Sequence, residues 1–137
     1  MRKLVIGFAL GWMCLAASAQ AHHEPSVLGR VTISQPVMAG GTMLQPGTYE
    51  VRLTGEHMMP LPGQSENGAQ VVEFVSGGRV VARDGAEVIE PDARPVGTSG
   101  GASTALRVER LRGDEFVRIS GTRNGERYLI HLATASR

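Results

Sequence analysis

Apolar and polar residues alternate with a period of two along most of the chain beyond residue 26, the spacing of strands with one buried and one wet face. Thr48 to Thr54 shows the pattern cleanly, with Tyr49, Val51 and Leu53 on one side and Glu50, Arg52 and Thr54 on the other. Val27 to Ile33 predicts an earlier strand that buries Val27, Val31 and Ile33, and Pro36 marks its end or a sheet edge, because proline cannot donate to a ladder. Gly40-Gly41 is a turn and Thr42 to Leu44 a short strand. In Gln45-Pro46-Gly47 the proline and glycine stand at the two central positions of a type II turn. Gln70 to Val75 and Arg79 to Arg83 form a hairpin about Ser76-Gly77-Gly78, and Asp84-Gly85 separates a further strand, Ala86 to Glu90. The last third reads as a meander: Thr104 to Leu111, a turn at Arg112-Gly113-Asp114, Glu115 to Ser120, a turn at Asn124-Gly125, and Arg127 to Ala133. Asn-Gly between alternating segments is the strongest short-range hairpin signal. In the final strand Tyr128, Ile130 and Leu132 share one face and Leu129, His131 and Ala133 the other, so both are expected to be partly covered. No stretch sustains a helical period. The set predicts an all-β fold, an antiparallel β-sandwich or small barrel of eight or nine short strands.

Two connections are long for a compact domain. Gly55 to Gly68 holds two prolines and mixed polar residues, and Pro91 to Ser103 holds Gly97, Gly100 and Gly101. Loops of this length are where binding residues concentrate. They are the expected contact surface for a protein partner or envelope component.

The first residues carry a different pattern. Arg2 and Lys3 precede an apolar run from Leu4 to Ala17, and small residues follow in Ala17-Ser18-Ala19-Gln20-Ala21. Positive start, short apolar core and small-x-small site describe a cleaved signal peptide, with cleavage after Ala21 or after Ala19. Cys14 follows Gly11-Trp12-Met13, which is not the small-residue approach that lipidation requires. The expected organisation is a signal helix over 1–21 and one all-β domain over 22–137, delivered to the periplasm or the exterior, with no membrane span after cleavage.

Removing that segment takes away the only Cys, the only Trp and the only Lys, so the mature chain has no thiol for a disulfide, a cysteine nucleophile or a zinc-thiolate site. Of 14 basic residues, Arg2 and Lys3 leave with it, and the 12 remaining arginines face 13 acidic residues. That near-neutral balance argues against a nucleic-acid partner. The mature length of about 116 residues is enough for one core without covalent staples.

Catalytic signatures do not survive their context. Gly97-Thr98-Ser99-Gly100-Gly101 matches the G-x-S-x-G expression, but that elbow needs a strand before it and a helix after it in a larger α/β sheet. Arg112-Gly113-Asp114 matches an adhesive tripeptide at a position where Gly-Asp is ordinary turn chemistry. Glu87 with Glu90 and Asp114 with Glu115 are solvated carboxylates at strand ends, and four aromatics do not line a sugar cleft. The expectation is a protein that is not an enzyme and carries no cofactor. The alternative is copper: His22, His23, His57, Met58 and Met59 offer imidazoles and thioethers, with Met38 and Met43 expected nearby, a ligand set suited to copper outside the cytoplasm. A terminal His22, or His22 third after Gln20-Ala21, would add the free amine to such a site.

Val31-Thr32-Ile33-Ser34-Gln35-Pro36-Val37 followed by Gly41-Thr42-Met43-Leu44-Gln45-Pro46-Gly47-Thr48-Tyr49-Glu50-Val51 resembles the opening of a group of small secreted bacterial β-domain proteins of unknown function. The resemblance implies export and a β-fold, and no activity. Pro46-Gly47-Thr48-Tyr49-Glu50-Val51 is also similar to a strand entrance in CopC-like periplasmic copper carriers, which would imply copper transfer.

Overall fold

The computed structural model describes residues 25–60, 62–63, 68–89 and 105–135. Nine strands follow in order: β1 (Ser26–Ile33), β2 (Val37–Ala39), β3 (Thr42–Leu44), β4 (Gly47–His57), β5 (Ala69–Ser76), β6 (Arg79–Ile89), β7 (Arg107–Leu111), β8 (Phe116–Arg123) and β9 (Glu126–Thr134). All ladders between them are antiparallel and join one sheet, and the described residues contain no helix. The all-β expectation holds. The signal segment 1–21 and the loop 91–103 lie outside the described residues.

The sheet is rolled. Its main path runs β1-β4-β5-β6-β9, and β8 and β7 continue beyond β9. The far edges then meet, because Arg30 in β1 and Ala105 just before β7 form a parallel bridge in which Leu106 N donates to Arg30 O at 3.0 Å. Of the two architectures the pattern allowed, this is a barrel-like roll around one core, with no further ladder between β1 and β7 among the described residues. β9 pairs with β8 from Glu126 to Ala133, and its opposite edge is shared between β6 at Arg127–Leu129 and β2 at Ala133–Thr134. Before residue 87, β6 leaves β9, and the β2–β3 hairpin packs into the widening gap against β6. The fit is close: a Cβ on Gly40, whose φ is +52°, would stand 2.0 Å from the Arg83 carbonyl oxygen.

The interior is supplied by the inward rows. Tyr49, Val51 and Leu53 of β4, Val72 and Phe74 of β5, and Tyr128, Ile130 and Leu132 of β9 are buried together with Val31 and Ile33 of β1. Phe74 meets Tyr49 edge to face, ring centres 6.4 Å apart, a geometry favoured by the ring quadrupoles. Both faces of β5 are covered, since outward-facing Glu73 is buried as well; Arg52 of β4 stands opposite it and Arg83 of β6 bonds its carboxylate at 2.5 Å.

Four local readings need correction. β4 continues through Gly55 to His57, so the connection expected over Gly55 to Gly68 begins only at Met58. A bulge between Val27 and Gly29 shifts the register of β1 against β4, so Leu28 enters the core and Val27 is 45% exposed; a bulge moves alternate residues to opposite faces. Asp84-Gly85 is not a turn but the middle of the continuous strand β6, where the Asp84 carboxylate accepts bonds from Gly40 N at 3.0 Å and Gly85 N at 2.7 Å. Gly47 has no positive φ, so Gln45-Pro46-Gly47 is not a type II turn; Tyr49 Oη instead donates to Gln45 O at 2.6 Å and its ring packs on Gly47. The other turns match, with positive φ at Gly40-Gly41, Gly77-Gly78 and Asn124-Gly125.

Candidate functional site

The strand directions give the roll two unlike ends. At one, the ladders close with short connections: the β5–β6 turn at Gly77-Gly78, the β7–β8 turn over 112–115, and the β3–β4 link. At the other, β1 begins, β4 ends in His57 opposite Gln70, β6 ends in Ile89 opposite Arg127, and Arg107 stands opposite Ser120 near the end of β8. The described ends of both long connections therefore lie at the same end as the start of β1. The described ends of the two connections share one rim only because antiparallel pairing alternates strand direction.

That rim holds a pocket of about 270 Å³ lined by Ser26, Leu53, Thr54, Gly55, Gln70, Arg123, Asn124 and Tyr128. A second bulge makes room for it. Between Leu53 and His57 the β4–β5 register shifts, Gly55 has φ +77°, and Thr54 Oγ1 turns to donate to Val71 O at 3.0 Å while accepting from Glu56 N at 3.1 Å. From the opposite wall the Asn124-Gly125 turn pairs Arg123 with Glu126. Arg123 Nη1 donates across the seam to the Val27 carbonyl. Tyr128, the first inward side chain after that turn, is buried and donates from Oη to Glu126 Oε2 at 2.5 Å. Burial, and then the bond to Glu126 and its negative charge, push the Tyr128 phenol up to about 12, against a smaller opposing effect of Arg123. At neutral pH it is a fixed hydrogen-bond donor.

The lining thus presents hydroxyls, two carboxamides and one guanidinium around an apolar floor at Leu53. This is a chemistry of polar recognition. None of these residues was named from the sequence as an individual binding residue; Leu53, Thr54, Asn124 and Tyr128 were read there only as strand and turn positions. The available signal was the two-residue Asn-Gly turn, whose register sets Arg123 opposite Glu126 and aims Tyr128 inward.

The copper candidates are only partly brought to this end. His22 and His23 lie outside the described residues. His57 closes β4 and is exposed, Met58 N donates to Ala69 O at 3.1 Å, and the Met58 sulfur packs over Gly85, where a Cβ would stand 2.4 Å from it. Met59 is 92% exposed. Met38 and Met43, expected nearby, belong to the β2–β3 hairpin at the opposite end of the roll, with Met38 paired to Ala133. Among the described residues no three His, Cys, Asp or Glu side chains converge as metal ligands. No protein-family model, curated protein or solved structure matches the chain.

Proposed function

We propose that the chain is an exported protein of the periplasm or exterior that works by binding rather than catalysis, holding a protein partner or envelope component at the loop-bearing end of the roll. The observation that carries this reading is that the described ends of both long connections lie at the same end of the roll as the start of β1 and the pocket lined by Arg123, Gln70 and Tyr128. Paired strands that carry their longer connections at one rim are the usual arrangement of a recognition surface. The test is photocrosslinking in cells of the secreting bacterium, with a photoreactive residue in place of Asn124 or Glu56 at this end and of Gly78 or Arg112 at the other. Adducts of defined mass from the first pair alone are expected; adducts from the second pair alone, or from neither, defeat the proposal.

A second reading is copper binding by His22, His23, His57, Met58 and Met59. One observation favours it: Ser26, three positions after His23, lines the same pocket as Gln70, the cross-strand partner of His57. Native mass spectrometry of the exported chain with added Cu(II), repeated with a competing chelator, decides it, since one retained metal is expected and none is fatal.

A further inference from the structure

The seam between β1 and β7 opens into a wedge. Val108 stands opposite Ile119 and Arg110 opposite Val117, and both partners on β8 are core residues, so Val108 and Arg110 sit on the inward face of β7. Along that face cover is lost step by step: Leu106 is 8% exposed beside the bridge, Val108 is 38% exposed, and the Arg110 side chain is 54% exposed. Beyond Arg30↔Ala105 no ladder joins the two strands; Arg110 Nη2 alone spans the gap, to Ser34 Oγ at 2.9 Å. An inward-facing valine left open to water beside two unladdered strand edges is an unfinished piece of sheet.

The wedge is also positively charged. Arg30, Arg107 and Arg110 border it, and Arg118 stands behind β7. Two carboxylates answer these four cations: Glu109, shared between Arg107 at 3.1 Å and Arg118 at 2.9 Å, and Asp114, 3.6 Å from Arg110. Arg30 has no ion pair among the described residues. Glu50 stands directly opposite Arg30 but is bonded to Arg52 at 2.7 Å, and the wall beyond it has the reverse balance, with Glu56, Glu73, Asp84 and Glu87 on β4–β6 against Arg79 and Arg83.

We propose that this wedge is a docking groove for an extended, acidic polypeptide segment of a partner protein, which adds a short strand between β1 and β7. Backbone pairing supplies affinity in such strand addition, and alternate side chains supply selectivity. Apolar residues on the inward side of the segment cover Val108, while carboxylates on its outward side meet Arg30 and Arg107. The surface is separate from the loop-bearing rim and does not depend on the function proposed for it.

The test uses the mature chain and an acetylated, fluorescein-labelled hexapeptide of alternating glutamate and valine, with a lysine-valine peptide as control. Fluorescence anisotropy at low salt should show binding of the acidic peptide alone, weakened about tenfold or more by Arg107→Glu or Arg30→Glu. Both side chains are exposed, and circular dichroism verifies that the variants fold. Amide hydrogen exchange should slow at Thr32 and Val108 on peptide addition. Absence of binding, equal binding by both variants, or binding without slowed exchange at those amides overturns the proposal. In the last case, competition by polyphosphate or anionic vesicles would identify the wedge as a general anion patch.

Discussion

The wall formed by β4, β5 and β6 and the seam between β1 and β7 close the same core by different means. In the wall, neighbouring strands pair along nearly their whole lengths, from Glu50↔Val75 to His57↔Gln70 and from Ala69↔Glu87 to Ser76↔Arg79. At the seam, among the described residues, the backbone bond from Leu106 to Arg30 is supplemented by side-chain bonds from Arg123 to Val27 O and from Arg110 to Ser34, with Leu28 and Leu106 packed over Gly121. Each such bond contributes roughly 0.5–1.5 kcal/mol net. A rolled sheet can thus keep a dry interior without completing its ladder, provided the seam residues are large enough to cover it.

The contrast is broken most severely from the wall side. Phe74→Ala removes a fully buried ring in contact with Tyr49 and should cost about 3–5 kcal/mol in urea unfolding; a loss under about 1 kcal/mol would show that the wall does not anchor the core. Gly40→Ala should cost about 2–4 kcal/mol, because a left-handed backbone and a methyl aimed at the Arg83 carbonyl act together. At the seam Gly121→Ala meets only the tip of Leu106, at 2.4 Å, and should cost about 1 kcal/mol as that side chain gives way. In the same variant the Leu106 amide should exchange faster while Val72 stays protected, the signature of local opening. Arg110→Ala, which removes an exposed bond to Ser34 and an exposed ion pair with Asp114, should change stability by less than about 1 kcal/mol.

A pH titration addresses the loop-bearing end instead. The folded Tyr128 phenol lies at about 12, above its ordinary 10.0. The folded state holds the proton more tightly than the unfolded chain, so this contribution is complete below pH 10 and is lost as pH rises through about 12. Stability measured across that window should fall less steeply in Tyr128→Phe than in the parent.

Much of the fold was legible in the chain. The inward rows Tyr49-Val51-Leu53 and Tyr128-Ile130-Leu132 follow from alternation, and the Asn124-Gly125 hairpin from turn chemistry. Val27 misled because a bulge cannot be seen in a list of apolar positions, and Asp84-Gly85 misled because its turn-like composition serves a contact with Gly40 that is 44 positions away. The site was less visible still: Ser26, Leu53, Gln70 and Arg123 are ordinary residues in their own neighbourhoods, and only pairing across strands gathers them.

The sequence by itself determined which segments become strands, where most of them reverse, and which side chains a half-buried strand turns inward, since all three depend on residues within a few positions of each other. Tertiary structure decided where registers slip, that β6 runs unbroken past Asp84, that the described ends of both long connections share one rim, and that arginines rather than a ladder span the gap beyond Arg30 among the described residues. Those outcomes depend on which edges meet after the sheet rolls, a relation between residues far apart in the chain that no local pattern encodes.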